Sequence, residues 1–322
     1  MKGGQTMTKN RIGIALITTF LIVVIAAGQI TTAKVTNKQE EDVITYTIGY
    51  LPITHALPVF EEKELLEQEN RGIKIELQKF SSWTDLTDAL HAGKIDGASE
   101  LIELAMGAKA KGIDLKAVAL GHKDGNVIVV SDDIQSKEDL EGKTLAIPST
   151  QSSHYILLQD ELKLAGLGIN DITITQLAPS EMPASLASGA IDGYCVAEPF
   201  GAQAVTQGFG HVLANSEELW NDSVCCALVF RTDVIEKNPD AFGKFLDAYH
   251  EAGKKLDKDE AKKTAVKYLG QDDKTLDTSL EWIKYDDLVI SKEAYTELCD
   301  KVIEDDIMDT PPTYEEFVYQ VQ

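Results

Sequence analysis

The sequence predicts an α/β fold of two lobes, each a mostly parallel sheet flanked by helices, with two crossings of the chain between them. Three observations carry this. Short β-rich runs alternate with segments that open on helix caps, the pattern of a parallel sheet covered on both faces. LHAGKIDGASE (90 to 100) is echoed without gaps by LASGAIDGYCV (186 to 196), with five of eight positions shared from Leu90 to Gly97, as expected for two copies of one design. Two apolar, β-rich runs, NVIVVSDDI (126 to 134) and CCALVFRTDVI (225 to 235), bracket the second copy and read as crossings.

In chain order, YTIGYLP (46 to 52), IKIELQKF (73 to 80), LKAVALG (115 to 121), NVIVVS (126 to 131), TLAIP (144 to 148) and ITITQLA (172 to 178) read as strands. Ser82 three before Asp85, and Ser136 three before Asp139, resemble capping boxes that start helices. In each copy of the echo a helix ends at the first glycine, an Asp-Gly turn follows and a short buried strand begins. The simplest topology has one lobe from 44 to 128 and 224 to 322, and the other from 129 to 223. Two crossings make a hinge, and a hinge makes a cleft. The segment after the return, NPDAFGKFLDAYHEAGKKLDKDEAKKTAVKYLG, reads as amphipathic helices covering the first lobe.

Residues 1 to 43 read differently. Lys2, Lys9 and Arg11 precede an apolar run from Ile12 to Gly28 and then a polar stretch, the signature of an export signal or an N-terminal anchor with its linker. No cysteine stands near Gly28 or Gln29 to take a lipid. A net charge of −23 with no basic stripe argues against nucleic acid and anionic membrane surfaces. Cys195, Cys225, Cys226 and Cys299 do not have the spacing of a zinc site or of a stapled mini-domain, and read as small apolar packing residues. No metal ligands and no cofactor are expected.

Ligands of open parallel sheets sit beyond the carboxyl ends of the strands. The residues there are Thr54 and His55, Trp83, Ser99 and Glu100, the turn 121 to 126 with His122, the stretch 149 to 154, and Val196 with Glu198. STQSSH has the clearest chemistry. Hydroxyls of Ser149, Thr150, Ser152 and Ser153, with free N–H groups at a helix start, suit a small oxyanion or carboxylate. His154 follows, and the indole of Trp83 can wall a cleft. Enzyme signatures are absent: no G-x-S-x-G, H-E-x-x-H, P-loop or G-x-G-x-x-G after a strand. Cys195 has no nearby cation, and Glu198 is a poor base for a thiol, so this pair reads as cleft lining and not as a nucleophile with its base.

GYLPITHALPVFEEKEL, FSSWTDLTDALHAGKIDGA, STQSSHYILLQDELKLAGLGI and DGYCVAEPFGAQAV together resemble the solute-binding proteins of ABC importers. The branch is that for nitrate, sulfonates and bicarbonate, which shares ancestry with binders of thiamine-pyrimidine precursors. The likeness runs over about residues 45 to 250 and is closest to the nitrate/bicarbonate subgroup. It implies a type II periplasmic-binding-protein fold, with Trp83, the turn Gln151 to His154, and Val196 with Glu198 lining the cleft. Ala197 stands where the family has Gly, Phe200 where it has Trp and Gly201 where it has Asn, and the family histidine aligns with His154 or Tyr155. The set Thr54, His55, Trp83, Ser99, Glu100, Thr150, Gln151, Ser152, His154, Val196 and Glu198 is therefore the expected ligand site. The implied function is extracytoplasmic capture of a small oxyanion by a monomer that delivers it to a permease and ATPase. One alternative ligand is a neutral or cationic heterocycle with Glu198 or Glu100 accepting its N–H groups. Another alternative is a cytoplasmic enzyme on the same scaffold.

Overall fold

The computed structural model describes residues 43–320, so the expected export segment or anchor lies outside the described residues. Among the described residues no helix is long and apolar enough to cross a membrane. The strands are β1 (Ile44–Tyr50), β2 (Ile73–Lys79), β3 (Gly97–Leu101), β4 (Leu115–Leu120), β5 (Lys123–Asp124) and β6 (Asn126–Val130). They continue with β7 (Thr144–Ile147), β8 (Thr173–Gln176), β9 (Gly193–Ala197), β10 (His211–Asn215), β11 (Cys226–Arg231) and β12 (Ile283–Lys284).

Two five-stranded sheets result, ordered β2-β1-β3-β11-β4 and β8-β7-β9-β6-β10, the same plan twice. In the first, β1 is parallel to β2 and β3, while β11 runs against β3 and β4. In the second, β7 is parallel to β8 and β9, while β6 runs against β9 and β10. The reversed strand of each sheet is the one that the chain enters by crossing from the other. It arrives at the edge where its neighbours end, so it must run against them.

The echo has a physical cause. Asp96 and Asp192 do one job in the two sheets: each carboxylate accepts a backbone N–H at 2.8 Å, from Thr47 and Thr144 respectively. Each aspartate's own N–H donates back to the carbonyl of the same threonine, again at 2.8 Å. Gly93 and Gly189, which close the preceding helices, have φ of 67° and 70°, left-handed values that glycine adopts without steric cost.

Two boundaries differ from the sequence reading. β6 lies wholly in the second sheet, so the passage between sheets is made by 121 to 125, ahead of 126 to 134. There β5 pairs antiparallel with β12, which adds a C-terminal strand to the crossing. The C-terminal residues also do not keep to the first sheet. Lys301 Nζ reaches Asp160 at 2.9 Å and Lys163 Nζ reaches Asp305 at 2.9 Å, tying helix Lys292–Glu304 to helix Ser153–Leu164 of the second sheet's layer. The amphipathic reading holds for helix Pro239–Lys255, which buries Phe242, Phe245, Leu246 and Tyr249 at i, i+3, i+4 and i+7.

Candidate functional site

The carboxyl ends of the parallel strands face one another across the two sheets, and they touch. Thr54, just after β1, donates its N–H and hydroxyl to the carbonyl of Glu198, just after β9, at 2.9 and 3.1 Å. His55 lies beside it, and its Nε2 meets the carbonyl oxygen of Gly125, on the first crossing, at 3.0 Å. A carbonyl can only accept, so Nε2 carries the proton and Nδ1 presents its lone pair. That lone pair faces the Sγ of Cys226 at 3.4 Å. The backbone N–H of Cys226 in turn points at Nε2 of His122, 3.3 Å away, and the two imidazoles lie with centroids 3.4 Å apart. Cys225 Sγ is 3.9 Å from Cys226 Sγ and 3.8 Å from Asn126 Oδ1. All four cysteines of the chain are free thiols.

Among the buried polar atoms that have no partner among the described residues, several belong to the residues at or near the strand ends. They are Trp83 Nε1, Ser99 Oγ and both oxygens of Glu100 and Glu103 on the first sheet's side. On the second sheet's side they are Ser153 Oγ, Asn126 Nδ2 and both ring nitrogens of His154. Buried polar groups are ordinarily hydrogen-bonded, because an unmet donor or acceptor costs about 1–3 kcal/mol. Unpartnered polar groups drawn from the strand ends of both sheets fit a site that is to be filled by polar matter. The open surface grooves, such as the one lined by Leu256, Ile283 and Tyr285, share no residue with it.

Burial sets the protonation. It pushes the carboxyl of Glu100 up to about 8 and that of Glu103 well above the usual range, with Cys225 adding to the latter. His122 and His154 are driven down to about 4, chiefly by burial, and are neutral imidazoles at physiological pH. Burial alone would raise the Cys225 thiol. The hydrogen bond from Cys226 outweighs it and holds Cys225 below the usual thiol range, while burial pushes Cys226 up. Among the described residues no Lys or Arg is buried, so the site has no fixed cation.

Of the residues singled out in the sequence, Thr54, His55, Trp83, Ser99, Glu100, Ser152, His154 and Glu198 are buried at the facing ends. Ser152 is tied up, donating to the carbonyl of Ser149 at 2.6 Å. Thr150 and Gln151 lie outside the set. Both are exposed, and Gln151 lines a surface groove with His91 and Lys111, whereas the helix that starts at Ser153 buries its first two residues. Val196 is held in the apolar core of the second sheet, paired across from Val127. Cys225, Cys226 and Glu103 escaped the sequence reading. The one signal was the doubled cysteine ahead of an apolar strand, which is indistinguishable from packing until the fold places two imidazoles beside it.

Glu198 gives a testable pH dependence. Its carboxyl accepts the Ala202 N–H at 3.2 Å on each oxygen, yet burial still raises it to about 8. The folded chain then keeps a proton that the unfolded chain releases, so stability falls as pH rises from the usual carboxyl range towards 8. Glu198→Gln should abolish about 1.5 kcal/mol of the loss between about pH 6.5 and 8. Equal slopes in urea titrations of the two proteins would reject the assignment.

Comparison with known proteins supplies a context for this geometry. The NMT1-like family matches residues 39–270. The ligand binding component of an ABC-type import system from Staphylococcus aureus, solved with zinc bound, is 37% identical with a TM-score of 0.83, over 86% of this chain and 96% of that one. The nitrate/nitrite binding protein NrtA of Nostoc sp. is 29% identical over 245 residues, 68% of this chain and 56% of that one. The nitrate import ATP-binding protein NrtC of Synechocystis sp. is 28% identical over 248 residues, 70% of this chain. The chain spans 37% of the length of that relative and 56% of the Nostoc one.

Proposed function

The chain belongs to the NMT1-like family, and from that premise we propose that it is the solute-binding component of an ABC importer, closing its two sheets over a small ligand. The observation that carries this is the set of unpartnered buried polar atoms contributed by both sheets, from Trp83, Ser99 and Glu100 to Ser153 and His154. No covalent step is needed, since a ligand that contacts both sheets stabilises the closed arrangement by that contact alone. The protein works outside the cytoplasmic membrane as a monomer, held or exported through residues 12 to 28, and hands its ligand to a permease driven by an ATPase.

The ligand class follows from the donors. A small oxyanion, the class implied by the nitrate-binding relative, would be met by the Trp83 N–H, serine hydroxyls and carboxyls that keep their protons, with no cation to neutralise it. A neutral or cationic heterocycle would use Glu100 as acceptor. The zinc in the Staphylococcus neighbour adds a third candidate. Thermal-shift assays with nitrate, bicarbonate, an alkanesulfonate, an aminopyrimidine and zinc chloride separate the three, and stabilisation by none of them would count against the binding role. With an oxyanion or a heterocycle as the ligand so found, Trp83→Ala should weaken binding by at least about tenfold, about 1.4 kcal/mol. Cys195→Ser should leave affinity unchanged, because Cys195 packs inside the second sheet. The reverse order by isothermal titration would move the site elsewhere.

A further inference from the structure

Resting on the importer reading, we propose that His55, His122, Cys225 and Cys226 bind a thiophilic transition-metal ion of the zinc class, and that this ion is the cargo. One donor atom from each of the four lies within 4.8 Å of all the others. A tetrahedral ion with bonds of about 2.0–2.3 Å needs donors spaced about 3.3–3.8 Å apart. His55 Nδ1 to Cys226 Sγ is 3.4 Å, Cys225 Sγ to Cys226 Sγ is 3.9 Å and every other pair lies within 4.8 Å, so a contraction of up to about 1 Å completes the set. Two imidazoles with two thiols is a donor set that selects zinc over calcium or magnesium, which take oxygen.

The surroundings fit. Histidine ligands ordinarily donate their other ring N–H to a carbonyl or carboxylate, which fixes the tautomer and aims the lone pair. His55 already does this through Nε2 to Gly125, with Nδ1 aimed into the cluster. Adjacent thiols that are not joined as a disulfide, facing two imidazoles, have no packing reason to be polar. A core strand start would be filled as well by valine or alanine.

The placement argues for cargo over a resident ion. His122 lies on the first crossing, Cys225 on the second, and His55 at the contact between sheets through its neighbour Thr54. All four side chains are fully enclosed. An ion can enter or leave only when the facing ends part, and a bound ion draws both crossings together, so occupancy and closure are coupled.

The test uses the purified chain stripped with a chelator, then titrated with zinc against a competing indicator, and with cobalt(II) as a spectroscopic stand-in. One ion per chain should bind and exchange with chelator. Small-angle scattering should show compaction on binding, and cobalt should give thiolate charge-transfer bands with the intense visible spectrum of a tetrahedral site. Cys225→Ser and His122→Ala should each weaken zinc by about 100-fold or more, with far-UV circular dichroism in chelator confirming that they fold. Cys195→Ser should bind as the parent does. Cobalt spectra of the parent need no variant and hold even if a variant fails to fold.

Zinc no tighter in the parent than in Cys225→Ser/Cys226→Ser overturns the proposal, as does an ion that the chelator cannot remove from the folded chain, since that would be structural. If zinc fails while an oxyanion or a heterocycle compacts the protein, this inference falls and the importer reading stands. If no ligand compacts it, both fall.

Discussion

Phe230→Ala should lower the free energy of unfolding by about 4 kcal/mol, the range for removing a large aromatic ring from a packed core. Phe230 is fully buried in β11. Its ring meets Tyr46, Phe242 and Phe245 edge-on, at centroid distances of 5.8, 5.0 and 5.2 Å. These partners come from β1 and from helix Pro239–Lys255, so the ring ties the returning strand to the first sheet and to the helix that covers it. The ring also lies against Gly97, where a Cβ would stand 2.7 Å from it. That contact explains the second glycine of the first echo. It also predicts non-additivity: Gly97→Ala alone should be destabilising, whereas in the Phe230→Ala background the new methyl enters the space left by the ring. The double variant should therefore be more stable than the sum of the singles by about 1 kcal/mol or more. Strict additivity in urea titrations would mean that the two positions do not share this space.

Gly201→Ala should cost about 3 kcal/mol, at the upper end for overpacking a tight interior. A Cβ there would fall onto Val127 Cγ2 and onto Oε1 of Glu198. Neither can retreat cheaply. Val127 is a fully paired residue of β6, and Glu198 is held by the Ala202 N–H on one side and, through its carbonyl, by Thr54 on the other. The substitution must displace the contact between the sheets, so the ligand-induced thermal shift should shrink along with the melting temperature. Val127→Ala in the same chain should restore part of both, and failure to restore either would show that the crowding lies elsewhere. In this chain the Glu198 carboxyl occupies the space a side chain at 201 would take.

The strands were legible because runs such as NVIVV and TLAI are β-branched, short and bounded by turns, and each lies within a residue or two of where the pattern puts it. The echo was legible because the same local job, an aspartate bonded to a neighbouring strand's threonine, imposes the same residues twice. The strand-end rule singled out Thr54, His55, Trp83, Ser99, Glu100, His154 and Glu198, and the structure buries all seven. Thr150 and Gln151 satisfied the rule by position but not by direction, since a residue just before a helix can point either way. Cys225 and Cys226 could not be separated from core residues, because burial of a thiol is common and its neighbours are supplied from elsewhere in the chain.

By itself, then, the sequence determined the alternation of strands and helices, the twofold design and the edge at which ligand chemistry would gather, all of which depend on residues close together in the chain. The tertiary structure alone decided which donors meet. His55, His122 and the Cys225–Cys226 pair come from three separate segments, and they become neighbours only because the crossing strands reverse into each sheet and bring their first residues to the facing edges. That reversal is a property of how the chain passes between two sheets, and no local pattern encodes it.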